Sequence, residues 1–159
     1  MLTVITHSPE ETWELARKLA PMLTKGDFIS LSGDLGAGKT VFAKGLAVGL
    51  GIDEPVTSPT FTIIKEYEGK LPLFHFDVYR LASAEELEEL GADEYFYGEG
   101  VSVVEWGDRV EEILPEERLS IRILRPVDED LRQIEVTPHG ERWKKQVDKW
   151  LDGADRVDS

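Results

Sequence analysis

Residues 33–40 read Gly-Asp-Leu-Gly-Ala-Gly-Lys-Thr and match G-x-x-x-x-G-K-[ST], the phosphate-binding P-loop. The pattern works in one setting, a buried strand that turns through the loop into the first turn of a helix. Glycines let the loop curl so that successive backbone N–H groups point at one anion. The helix that follows aims its positive end at the same point. Here Phe28-Ile29-Ser30-Leu31 reads as the buried strand, and Val41 to Ala47 has helical spacing. The motif in that setting predicts a nucleotide-binding set of Gly33, Asp34, Leu35, Gly36, Ala37, Gly38, Lys39, Thr40 and Val41. Lys39 is expected to reach the β- and γ-phosphates, and the Thr40 hydroxyl to be a Mg²⁺ ligand.

A P-loop needs an acid at the end of a neighbouring strand, to hold the metal or to orient an attacking water. Two candidates stand in that position. Glu105 ends the apolar run Gly100-Val101-Ser102-Val103-Val104, and Asp77 lies in the polar cluster His75-Phe76-Asp77-Val78-Tyr79-Arg80. Both stay open as catalytic acids. Asp77 also has the simpler reading of a capping residue or an ion pair with Arg80. Thr57, Ser58 and Thr60 form a hydroxyl-rich loop after the P-loop helix, where many such proteins keep a switch segment; a plain surface turn is the alternative. His75 reads as structural. Trp106 fits either a stacking surface or a core position.

The rest of the chain is punctuated clearly. Thr3 to Thr6 reads as a short strand. Ser8-Pro9-Glu10-Glu11 signals a helix start with Ser8 as N-cap and Glu11 completing a capping box; Ser83 to Glu86 repeats the signal. Phe61 to Tyr67 and Leu71 to Phe76 read as a hairpin. Val110 to Leu114 reads as a short helix. Leu119 to Ile123 and Gln133 to Thr137 alternate with period two and predict an antiparallel pair. Gly140 to Leu151 reads as a terminal helix. The chain is expected to be one domain over residues 1–151, with 152–159 a disordered tail.

Composition narrows the class. With no Cys, the chain has no disulfide or thiolate metal site, which fits a cytoplasmic location. No apolar run is long enough for a membrane span, and none resembles a secretion signal. The net charge of −14 opposes direct, tight nucleic-acid binding, which draws most of its affinity from neutralising phosphates.

Taken together, the P-loop, Ser58-Pro59-Thr60-Phe61, His75-Phe76-Asp77-Val78-Tyr79-Arg80-Leu81 and Glu105-Trp106, in this order and spacing, resemble the TsaE (formerly YjeE) family. The resemblance covers about residues 8 to 125. It implies an α/β, three-layer P-loop NTPase fold with a mixed, mostly parallel central sheet. It implies ATP and Mg²⁺ as ligands. It places Thr40 and Glu105 at the metal, Asp77 at the γ-phosphate side and Thr60 in a switch-like loop. Contacts to adenine are implied near Ser8 to Thr12, with Thr12 the candidate, and from Arg132. The implied activity is weak ATP hydrolysis that depends on partner proteins, the TsaB–TsaD pair, which modifies adenosine in tRNA; tRNA is then met only through the partner. Rival readings are a small-molecule kinase, for which Arg80 and Arg109 are the available cations, and a nucleotide-sensing module without turnover. A GTPase is disfavoured, because guanine recognition of the N-K-x-D type needs an Asn and the chain contains none.

Overall fold

In the computed structural model, which describes residues 1–34, 36–57, 59, 63–126 and 130–157, the architecture is built on β2 (Phe28–Gly33). Its apolar residues leave no side accessible to water, which suits a strand covered on both faces. It pairs in parallel with β5 (Val101–Glu105) on one side and β6 (Arg118–Leu124) on the other. Beyond β5 lies β4 (Leu73–Asp77), also parallel, and then β3 (Ile64–Tyr67), antiparallel. Beyond β6 come β7 (Arg132–His139), β1 (Leu2–Thr6) and β8 (Arg156–Val157), each antiparallel to its neighbour. The order is β3-β4-β5-β2-β6-β7-β1-β8.

The sheet is therefore mixed, as expected, but it is parallel only across its four central strands. The expectation of a mostly parallel sheet is corrected to that extent. The cause is local: β3–β4 and β6–β7 are hairpins, and a short connection can join only antiparallel strands.

Helices cover the two faces. On one side α1 (Pro9–Leu19), α2 (Lys39–Gly49) and α5 (Glu141–Trp150) pack over Ile29, Leu31, Val103, Ile121 and Ile134. On the other, α3 (Ala84–Glu89), α4 (Ala92–Phe96) and a 3-10 segment (Gly107–Ile113) enclose Phe28, Phe76 and Val104. The 3-10 segment begins three residues before the predicted Val110. Strand β6 shows the period-two logic: Leu119, Ile121 and Ile123 are buried, while Ser120 and Arg122 face away from that core.

The first helix starts as its sequence predicts. Ser8 is extended, and its Oγ accepts the Glu11 N–H at 3.1 Å; the Glu11 carboxylate in turn accepts the His7 N–H. Loss of this cap leaves an unsatisfied N–H, so Ser8→Ala is expected to cost about 1 kcal/mol in urea unfolding, whereas Ser8→Asp should cost almost nothing. The second predicted box is only half formed. Ser83 has the extended cap conformation but makes no side-chain cap bond, and the Glu86 carboxylate accepts the Ala82 N–H at 3.4 Å.

Helices α1 and α2 lie unusually close. A Cβ at Gly45 would stand 2.2 Å from the Trp13 carbonyl oxygen, so this contact tolerates no side chain there. With Gly49 similarly set against Arg17 and Ala20, the two helices run parallel and bring their N-termini to the same end of the sheet.

Helix α5 is anchored by charge. The Arg142 guanidinium grips Asp27 with two bonds, Nη1–Oδ1 2.5 Å and Nη2–Oδ2 2.8 Å, and Nη2 also donates to the Met22 carbonyl at 3.1 Å. Asp27 is buried and accepts the Thr24 N–H as well. Residues 152–157 are not the disordered tail expected. Ile5 N–H donates to the Asp155 carbonyl at 2.9 Å, and Arg156–Val157 pairs with Thr3–Val4. The open edge of β1 supplies the hydrogen-bonding partners that a tail otherwise lacks. Among the described residues no helix is long and apolar enough to cross a membrane.

Candidate nucleotide site

The P-loop is stitched to β6 at its base. Gly33 has φ +123°, and a Cβ there would meet the Ile123 carbonyl oxygen at 1.9 Å. The first glycine of the motif is thus required by the neighbouring strand. Asp34 continues the contact: its N–H donates to the Ile123 carbonyl at 3.1 Å, and its Oδ2 accepts the Arg125 N–H at 3.0 Å. Gly36 and Gly38 also have positive φ and carry the chain round into α2, whose first residue is Lys39. Leu35 lies outside the described residues. On the far side Arg132, at the start of β7, donates from Nε to the Ala37 carbonyl at 2.8 Å.

Lys39 is buried behind the loop. Its Nζ donates to the Asp34 carbonyl at 2.8 Å and the Gly33 carbonyl at 3.3 Å, and it sits 3.9 Å over the Trp106 ring. Burial pulls its ammonium below the ordinary lysine range, and the charges of Glu105, Asp108, Asp34 and Asp77 oppose the shift. Among the described residues the Lys39 ammonium is held by two carbonyls and the face of an indole ring.

Thr40 and Glu105 meet across the mouth of the site. The Thr40 hydroxyl donates to Glu105 Oε1 at 3.1 Å. Glu105 ends β5, is 3 % exposed, and faces α2 because it shares the strand face of Val101 and Val103. Its second oxygen accepts from His75 Nε2 at 2.6 Å, in a pair closed to water. Asp77 is the register partner of Glu105 on β4. Its Oδ1 accepts the Tyr79 N–H at 3.0 Å, closing the turn that follows β4.

Two backbone positions beside these acids are strained. Trp106, directly after Glu105, has φ +67°, and Ile63, whose carbonyl accepts the Asp77 N–H at 2.8 Å, has φ +65°. Left-handed backbone at a bulky or β-branched residue is rare and costs about 1–3 kcal/mol. The Trp106 ring lies against Tyr79, with centroids 4.8 Å apart, and Arg109 stacks on Tyr79 in turn. Trp106 is thus both a partly buried neighbour of the second core and a stacking surface.

The remaining predicted residues are less exposed to a ligand or lie outside view. Thr12 is 1 % exposed, and its hydroxyl bonds Thr6 Oγ1 at 2.7 Å. Val41 lies one residue beyond Thr40 on the first turn of α2. Ser58 and Thr60 fall outside the described residues; Thr57 Oγ1 accepts from Lys65 Nζ at 2.6 Å. The sequence missed three relations: His75 with Glu105, Arg132 with Ala37, and Lys39 with Trp106. The first had a signal, since His75 and Asp77 are two apart and share one face of β4.

Among the described residues, no group of three or more His, Asp or Glu could cage a metal. Thr40 and Glu105 offer two hard oxygen donors side by side. That donor set fits Mg²⁺, which takes one or two protein oxygens and completes its shell with water and phosphate.

Comparison with known proteins gives one answer throughout. The family model described as threonylcarbamoyl adenosine biosynthesis protein TsaE matches residues 6–134. A Bacillus subtilis (strain 168) relative, tRNA threonylcarbamoyladenosine biosynthesis protein TsaE, is 54 % identical over 140 residues, covering 87 % of each chain. A Treponema pallidum relative of the same description is 47 % identical over 132 residues, covering 83 % of this chain and 97 % of that one. The crystal structure of Bacillus subtilis YdiB superposes with a TM-score of 0.83 at 46 % identity, covering 96 % of this chain and 97 % of that one.

Proposed function

Because the chain belongs to the TsaE family of threonylcarbamoyl adenosine biosynthesis proteins, we propose that it is the Mg²⁺-dependent, ATP-hydrolysing subunit of that pathway, gating or resetting a TsaB–TsaD transferase. A role in tRNA threonylcarbamoyladenosine biosynthesis comes with the family. The ATPase role rests on one observation above all, the Thr40 hydroxyl set against the buried Glu105 carboxylate at the mouth of a P-loop.

In this reading the loop from Gly33 to Thr40 cradles the phosphates with its N–H groups. Lys39 leaves the Asp34 and Gly33 carbonyls for the β- and γ-phosphates, where it offsets charge that builds as the bond breaks. Thr40 and Glu105 would hold Mg²⁺, which would neutralise charge on the phosphate oxygens. Asp77, level with Glu105 on the adjacent strand, orders the attacking water. Val41 lies against the nucleotide beyond the loop. Arg132 fixes the loop at Ala37 on the side where α1 begins, near the place given to adenine.

The chain is acidic, so tRNA is left to the partner. Hydrolysis by the isolated protein is expected to be slow. Adding TsaB–TsaD and tRNA should raise it by on the order of tenfold, the effect of removing about 1.4 kcal/mol of ordering cost from the barrier. A fast rate indifferent to both additions overturns the reading. ADP release that scales instead with a small acceptor would favour a kinase, but Arg109 is already held by the Tyr79 carbonyl at 2.8 Å.

A further inference from the structure

The imidazole of His75 is wholly buried, and the nucleotide reading above gives it no task. Its Nε2 lies 2.6 Å from Glu105 Oε2. A carboxylate only accepts, so Nε2 carries the proton and donates it to the hydrogen bond. That leaves Nδ1 without a hydrogen-bond partner among the described residues. Burying such a nitrogen is unfavourable by about 1–3 kcal/mol. An apolar side chain at the same place, among the residues that pack around Leu73 and Val103, would carry no such penalty. Packing alone therefore does not account for a histidine here; the bond to Glu105 does.

The geometry points to a division of labour between the two oxygens of Glu105. Oε1 faces Thr40 and is the oxygen available to a metal. Oε2 is turned inward to His75. We propose that His75 is the positioning residue of this site: its Nε2–H holds the Glu105 carboxylate in the one rotation that presents Oε1 beside the Thr40 hydroxyl. The proposal rests on the Mg²⁺–nucleotide reading and goes beyond it. Outer-shell donors of this kind orient a metal-binding carboxylate, and losing one typically weakens metal affinity about 10- to 100-fold.

The test uses two amides that differ in reach. In His75→Gln the side-chain nitrogen falls near the place of Nε2, whereas in His75→Asn it falls short, near Nδ1. ADP, which is not turned over, is titrated onto wild-type protein and both variants, in EDTA and at rising Mg²⁺. Asn should weaken the apparent Mg²⁺ affinity about tenfold and leave ADP affinity in EDTA unchanged; Gln should stay within about threefold of wild type. Equal behaviour of Asn, Gln and wild type overturns the role of His75 and leaves the nucleotide reading standing. No Mg²⁺ effect in the wild type overturns both. A readout that needs no variant guards against misfolding: in ¹⁵N NMR of the wild type, the His75 Nε2–H should exchange slowly and shift when Mg²⁺ joins the ADP complex. A fast-exchanging or unmoved signal counts against the proposal.

Discussion

Replacing Lys39 with Ala is expected to lower ATP turnover in the presence of TsaB–TsaD by about 100- to 1,000-fold, with little change in thermal stability. In the proposed reading the rate loss follows from removing the ammonium that would turn to the phosphates, an effect of about 3–4 kcal/mol on the barrier. Stability should hold because the favourable and unfavourable contributions of Lys39 nearly cancel. Its bonds to the Asp34 and Gly33 carbonyls and its stacking on Trp106 favour the fold. Burial of the charge opposes it, which is why the ammonium is pulled below the ordinary range. Lys39→Arg should not restore the rate, since a planar fork does not match the site of a compact ammonium. Turnover assays beside thermal unfolding decide the matter. A variant with wild-type turnover removes the P-loop from the chemistry.

The second large effect concerns stability. Arg142→Ala is expected to destabilise the protein by about 3 kcal/mol, because it strands a buried carboxylate. Asp27 would keep only the Thr24 N–H of its present partners among those described. The Arg142 side chain is one-third exposed, so the lower end of the range for buried pairs applies. For a chain of this length the loss corresponds to a fall of roughly 6–12 °C in Tm. Lost stacking on Trp143 contributes less, about 0.5–1 kcal/mol. Charge is the dominant cause, so Asp27→Asn in the Arg142→Ala background should recover part of the loss. If the double variant is less stable than the single, packing rather than charge governs the site.

How much of this was legible in the sequence depended on how local the cause was. Ser8 and Glu11 are three residues apart, and their cap formed as read. The alternation of Leu119, Ile121 and Ile123 with polar neighbours fixed which face of β6 is buried. The Gly-Lys-Thr loop between β2 and α2 and the acid that ends β5 were legible because each is defined by a few adjacent residues. What failed was set by distant partners. The fate of Arg156 and Val157 depends on the open edge of β1, some 150 residues away in the chain. Asp27 and Arg142 are 115 positions apart, and neither carries a motif. His75 and Glu105 lie on different strands, and only the two-residue spacing of His75 and Asp77 on one face of β4 hinted at the contact. The antiparallel flanks of the sheet were visible as separate hairpins, but their weight against the parallel centre emerges only when the strands are ordered.

The left-handed backbone at Ile63 and Trp106 bears on how this protein would respond to selection. Both positions flank the acids of the site, and glycine at either would relieve the strain. A search for heat resistance alone would thus be drawn to 63 and 106. Glycine would accept the same φ but loosen the backbone around it, and at 106 it would remove the ring that packs on Tyr79 and Lys39, so Glu105 and Asp77 would be held less firmly. Selection for activity would be expected to pull the other way. The most improvable positions for endurance are then the ones least free to change, and thermal robustness has to be sought on the far side of the sheet.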